Sequence, residues 1–391
     1  MNELFRKLPE PKDKISLSKE TMDEFYKSLQ KFQKKWNSKN ITLEQSDLIF
    51  VDNLPSELNF PNGHFIGSSI YEYIMQSRGY YKTFVFFIGS RTFNLHLYLP
   101  MKDKNTSVKQ VDNLFNSYVE KMFLWLSFIS SNISPQCSMT SSIYLYLTPF
   151  EKIFDQDGEL ITPENVNSAF TTSCQEVTEI RIYRHEEWFK VFIHETFHCF
   201  GLDFSSIDNS SVEDEIMKTF KVNNPNGIRV YESYCELWAQ IMNVVIFSFM
   251  KSKNQTNFQN IFGHLINKEL SFSFFQLSKV LQKFNVSYED LIDTKCKNIK
   301  IMIKEDSHVL SYFVLKTILF ANLRMFERWC KKNNTKMFRF VHKNAIKYVE
   351  LIVKNSKSTK MHDNLKKTSV FCKKANITHK IKNTAKMTII N

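Results

Sequence analysis

Residues 184–204 read RHEEWFKVFIHETFHCFGLDF, and the rest of the chain is interpreted outward from them. Trp188, Phe189, Phe192, Ile193, Phe197 and Phe200 recur at the spacing of one side of a helix. His194 and His198 are four residues apart. At 3.6 residues per turn they share a face, so both imidazoles can bind one zinc ion at about 2.0–2.1 Å. Glu195 follows the first histidine, where it can serve as general base toward water at the metal. Gly201 comes three residues after His198 and suits the left-handed stop of a helix. Just ahead, residues 179–183 (EIRIY) form a strand feeding the helix. The five-residue pattern alone is weak: with 10 His in the chain, chance supplies roughly 0.01 matches per protein. The apolar side, the strand and the glycine give it weight.

A catalytic zinc needs a third protein ligand and an open position. A third histidine ten residues after His194 is absent: Phe204 occupies that place, and the nearest acid, Asp203, is one short. The other arrangement puts a glutamate on a second helix, and residues 231–240 (YESYCELWAQ) offer two. Glu236 has Ala239 three residues on, small enough for close helix approach. It also has Gln240 four residues on, able to hold a ligand imidazole by its second nitrogen. The expected metal set is His194, His198 and Glu236. Glu232, with Glu236 one turn on, is the alternative. For the developing oxyanion, His308 and Tyr312 lie four residues apart and join Glu195 as candidate catalytic groups. His64, His96, His185, His264 and His342 have no ligand spacing and are expected in structural roles.

HETFHCFGLDF together with ESYCELWAQ resembles the gluzincin-type HExxH zinc metallopeptidases. The block from Arg184 to Phe204 is similar to metallopeptidases of large nucleocytoplasmic DNA viruses. The resemblance covers about residues 165–250, with a weaker echo near 306–316. It implies a zincin-like fold, Zn²⁺ as cofactor and hydrolysis of a protein or peptide substrate. Gln240 departs from the pattern, standing where an acid usually orients a ligand histidine.

The composition narrows the remaining possibilities. There are 8 Gly and 9 Pro among 391 residues, and no GxGxxG or GxxxxGK[ST], which excludes glycine-loop nucleotide folds. The abundance of Phe, Asn, Lys and Ile fits an AT-rich coding source. No apolar run approaches the ~18 residues of a membrane span. The start of the chain has no signal-peptide core. The 7 cysteines are odd in number and scattered, with no CxxC, so reduced thiols and a cytoplasmic setting are expected. From residue 354 onward ten lysines face Asp363 alone, so nine of the twelve net positive charges lie there. That stretch reads as a flexible basic tail able to touch nucleic acid or an anionic surface.

Helical spacing over 15–37, a hairpin of 81–88 and 92–99 about Gly89-Ser90-Arg91, and a helix over 107–131 come next. Strands at 142–147 and 179–183, helices at 185–200 and 229–250, and helical pattern from 256 to 355 complete the reading. The class expected is α+β: a zincin-like core of small mixed sheet plus active-site helix, then a mostly helical C-terminal subdomain. The divisions are 1–75, helical or irregular; 76–255, the α/β subdomain carrying HExxH and the glutamate helix; 256–355, helical; and 356–391, the basic tail. Two functions compete. One is a zinc metalloendopeptidase. The other is a viral structural or assembly protein that keeps the scaffold without protease activity.

Overall fold

The computed structural model describes residues 2–60, 66–101, 106–154, 160–220, 222, 227–292, 306–374 and 378–390. The chain divides into two compact units. One comprises Glu24–Glu151 and Asn167–Leu202; the other comprises Met1–Asp23, Lys152–Val166 and Asp203–Ile390. The protein is mixed α+β, with a mixed sheet in the first unit and a helical C-terminal part in the second. No helix among the described residues is long and apolar enough to cross a membrane.

The sheet has seven strands: β1 Leu43–Gln45, β2 Ile49–Val51, β3 Gly79–Ile88, β4 Arg91–Pro100, β5 Thr140–Tyr146, β6 Ala169–Thr171 and β7 Val177–Ile182. Their order is β1-β3-β4-β5-β7-β6, with β2 also on β3. β3 and β4 form the expected hairpin, Ile88 opposite Arg91, and Gly89 takes a φ of +63° in the tight turn. β4, β5 and β7 run parallel. The helices of this unit are α1 Lys19–Asn37 (from Glu24 on), α2 Ser68–Gln76, α3 Val108–Ile129 and α4 Trp188–Cys199. Alternation along the strands puts Phe84, Phe86, Phe93, Leu95, Ile143 and Ile180 into the core, and α3 and α4 pack on β3 and β7 respectively. A second cluster gathers Tyr81, Tyr98 and Tyr146 with Leu58, Phe60, Ile70 and Ile74. Arg181 is buried beside it: it pairs with Glu179, donates to the Tyr146 hydroxyl at 2.6 Å and lies 4.0 Å over the Tyr144 ring. That satisfies a charge which would otherwise be costly inside the fold.

Cys137 and Cys174 are joined by a disulfide, against the expectation of reduced thiols throughout. Each lies three residues ahead of its strand, β5 and β7, which are parallel neighbours. Adjacent parallel strands bring their starts together, and no CxxC spacing announces that.

The second unit contains α5 Tyr231–Lys251, α6 Gln255–Lys283, a π-helical turn Leu310–Leu315, α7 Lys316–Ala321, α8 Leu323–Asn333, α9 Ala345–Ser356 and α10 Thr359–Lys374. The sequence reading placed residues 229–250 with the sheet, in a 76–255 subdomain. Instead the division falls between Leu202 and Asp203. The reason is that α5 is buried nearly all round, 17 of its 21 residues being inside. Such a helix needs neighbours on every side rather than one sheet face.

Among its described residues, the stretch 356–391 is not the flexible tail its charge suggested. In α10, Met361, Asn364, Leu365 and Thr368 are buried at helical spacing, while Lys366 and Lys367 are exposed. Farther on, Ala385, Met387, Thr388, Ile389 and Ile390 are buried as a strap. Its backbone is held by side chains. Glu269 of α6 accepts from the Thr388 hydroxyl at 2.5 Å and from the amides of Ile389 at 3.0 Å and Ile390 at 3.2 Å. Gln240 donates to Glu269 at 2.7 Å and to the Met387 carbonyl at 3.0 Å, and Lys316 donates to Gln240 at 2.9 Å. Burial pushes the Glu269 carboxyl above its ordinary pKa, against these hydrogen bonds.

Thr388→Val should therefore lower stability by about 1.5–3 kcal/mol, the range for a hydrogen bond to a charged group. A urea unfolding midpoint equal to that of the parent chain would show that the strap does not depend on this contact.

Candidate metal centre

Helix α4 grows directly out of the sheet. β7 ends at Ile182, and Arg184 then donates to the carbonyls of Asn167 at 3.0 Å and Glu151 at 2.6 Å. Glu187 precedes the helix in left-handed backbone, φ +59°, and its carbonyl accepts the Val191 amide at 2.9 Å. Trp188 packs on Tyr118 of α3, ring centroids 4.3 Å apart. One turn before the helix end, Trp125 Nε1 donates to Thr196 Oγ1 at 3.0 Å, and that hydroxyl donates to Ile193 O at 2.6 Å. The indole and the threonine are thus mutual partners in a dry interior, which fixes the rotation of α4 about its axis.

The C-terminal end is pinned as firmly. Gly201 has φ +63°, and the Leu202 amide reaches back to Phe197 O at 2.9 Å. A Cβ on Gly201 would lie 2.9 Å from Cys137 Sγ, so the turn lies against the disulfide. Ser138 donates to Cys199 O at 3.0 Å. Burial raises the Cys199 thiol to about 12, which makes it packing rather than a nucleophile.

With its axis and rotation held, α4 turns both histidines to one place. His194 Nε2 and His198 Nε2 are 3.2 Å apart. Two nitrogens bound to one tetrahedral zinc at 2.0–2.1 Å would be separated by about 3.3–3.4 Å, so the pair fits a shared ion. His194 is buried, Glu195 is 9% exposed, and His198 is half-buried.

In the helical unit, Glu232 and Glu236 stand one turn apart on α5 and both are buried. Tyr312 donates to Glu232 Oε2 at 3.3 Å. His308 lies beside Tyr312, ring centroids 6.1 Å apart, so these two are neighbours as the i,i+4 spacing predicts. Asp203 accepts from the Cys235 thiol at 3.5 Å, a contact between a loop and α5 that sequence spacing does not reveal. Gln240 does not serve a ligand imidazole as the sequence suggested. Its amide is committed to Glu269, Ser273, Met387 and Lys316. The reason is position: Gln240 is one turn beyond Glu236 and faces α6 and the strap. Three other histidines take local roles. His96 bonds Tyr81 at 2.8 Å, His185 bonds Tyr118 at 2.7 Å and His342 lies 3.3 Å from Asp203 O. His64 lies outside the described residues.

Comparison of the chain with family models, curated proteins and solved structures gives no match.

The turn that ends α4 gives a direct check of how its register is held. Gly201→Ala puts a side chain at positive φ and against the disulfide. It should cost about 1–2 kcal/mol from the left-handed backbone alone. A thermal unfolding midpoint unchanged from the parent would show that this turn does not anchor the helix.

Proposed function

We propose that the chain is a gluzincin-type zinc metallopeptidase acting on protein or peptide substrates, with His194, His198 and Glu232 as metal ligands. The observation that carries this reading is the 3.2 Å separation of the two imidazole Nε2 atoms. Glu232, whose carboxylate accepts from the Tyr312 hydroxyl, is the third ligand in this reading. Two imidazoles and one carboxylate suit zinc, and three protein ligands are the number of a catalytic rather than a closed structural site. The reading moves the third ligand from Glu236, which the sequence favoured, to the alternative one turn earlier. Glu236 then becomes the outer partner on the same face of α5.

When bound, zinc supplies Lewis-acid chemistry, acidifying water and polarising a peptide carbonyl. Glu195 lies one position round the helix from the ligand face and is kept for proton transfer. It takes the proton of the attacking water and passes it to the leaving amine. Its near-complete burial raises the worth of that charge in a poorly solvated site. His308 is the nearer fit for the oxyanion, because the Tyr312 hydroxyl is turned on Glu232.

Two measurements test this. Glu195→Gln should keep about one zinc per chain and lose peptide cleavage by roughly 10²–10⁴-fold, the weight of a general base. A Gln variant as active as the parent would remove the peptidase reading and favour the assembly-scaffold alternative. In zinc titration, Glu232→Ala should lose metal more completely than Glu236→Ala, since outer partners typically cost about 10–100-fold. The reverse ranking would return the ligand role to Glu236.

A further inference from the structure

We infer that the π-helical turn Leu310–Leu315 is a positioning device for the metal-ligating carboxylate, with Tyr312 holding Glu232 in place. This rests on the zinc reading above.

π-Helix is rare, well under 1% of residues, and occurs as single turns that frequently mark functional sites. Here it opens a helix: His308 is non-helical, Val309 and Lys316 on either side of the turn have right-handed α geometry, and regular α-helix follows. The chain therefore departs from regular α-helix over this one turn. The wider turn redirects the side chains it carries, and two consecutive ones meet the start of α5. Ser311 Oγ donates to Arg229 O at 2.9 Å. That same carbonyl accepts the amide of Glu232 at 3.1 Å. Tyr312 Oη donates to the Glu232 carboxylate at 3.3 Å. Both the backbone and the side chain of Glu232 are thus tied to one turn of a distant segment.

The tyrosine is itself held. It is 9% exposed and belongs to a cluster with Val280, Val309, Phe313, Ala385 and Met387. A ring packed from α6, from its own helix and from the strap has one direction for its hydroxyl. A phenol so fixed orients the carboxylate it holds, as outer partners of metal ligands do. At 3.3 Å the contact is longer than the usual 2.5–3.0 Å, and contacts of this kind tighten when a site is loaded. Tyr312 is therefore a positioning residue acting through Glu232, distinct from an oxyanion donor.

The test is zinc affinity of the full chain, measured by competition with a chelating dye. Tyr312→Phe removes one hydroxyl and keeps the ring. It should weaken zinc binding by about 10–100-fold, while zinc at saturation stays at one per chain and the unfolding midpoint of the metal-free protein stays that of the parent. Ser311→Ala should shift affinity in the same direction by less. It also carries the test should the Phe variant fail to fold, when unchanged affinity in Ser311→Ala overturns the proposal. Affinity equal to the parent in Tyr312→Phe overturns it too. If that variant keeps its affinity and loses turnover, the hydroxyl serves the oxyanion and the positioning role is wrong. A parent chain that binds no zinc defeats the metal reading itself, and that is seen before any variant is made.

Discussion

The burial of α4 on nearly every side is the constraint on which the sheet unit depends. Eleven of its twelve residues are buried, and among them are a lysine, a histidine, a glutamate and a threonine. A helix packed that way cannot leave polar groups unmatched without a cost of roughly 1–3 kcal/mol each. Thr196 meets this by facing the Trp125 indole across the α3 interface. The ends are met by backbone: the Arg184 anchor and left-handed Glu187 at one end, the Gly201 turn at the other. The rigidity produced by satisfying the interior also fixes the direction of the two imidazoles. Stability and site geometry are the same problem here, because a small rotation of α4 would turn both imidazoles away together and unpair the indole.

The helical unit solves a harder version. α5, α6 and α7 bring Gln240, Glu269, Ser273 and Lys316 into a region with no exposure to water. Burying a carboxylate and an ammonium is favourable only when their remaining hydrogen-bonding capacity is filled. The strap completes the set, supplying two amides, a hydroxyl and carbonyls to side chains that would otherwise face apolar packing. Its place in the sequence, far from these helices, follows from that need rather than from local propensity. Because Met387 of the strap and Tyr312 share one cluster, the filling of the polar knot and the support of Glu232 are carried by adjacent layers.

The elements themselves were legible in the residues. The hairpin at 79–100, the long helix at 108–129 and the strand ahead of α4 all lie within about three residues of where periodicity put them. Each is encoded by local alternation or 3.6-residue recurrence and by a glycine where a turn needs one. The basic end of the chain misled because charge was weighed above spacing. Lys366, Lys367 and Lys373 lie on the outer side of a helix whose inner side, Met361, Leu365 and Thr368, is regular. The Gln240 assignment failed for a different reason. Helical spacing says which residues share a face, and not which neighbour that face meets.

By itself the sequence determined that His194 and His198 share one side of a helix, that Glu195 stands next to them, and that two acids recur one turn apart on a second helix. These follow from the fixed pitch of the α-helix, which needs no knowledge of the surroundings. Only the tertiary structure decided how far apart the imidazole nitrogens lie, that Cys137 meets Cys174, and that Gln240 belongs to a buried knot. It alone gave Glu232 a tyrosine from a segment 80 residues away. Those outcomes depend on which faces pack together, and packing joins residues whose separation along the chain carries no signal of their proximity.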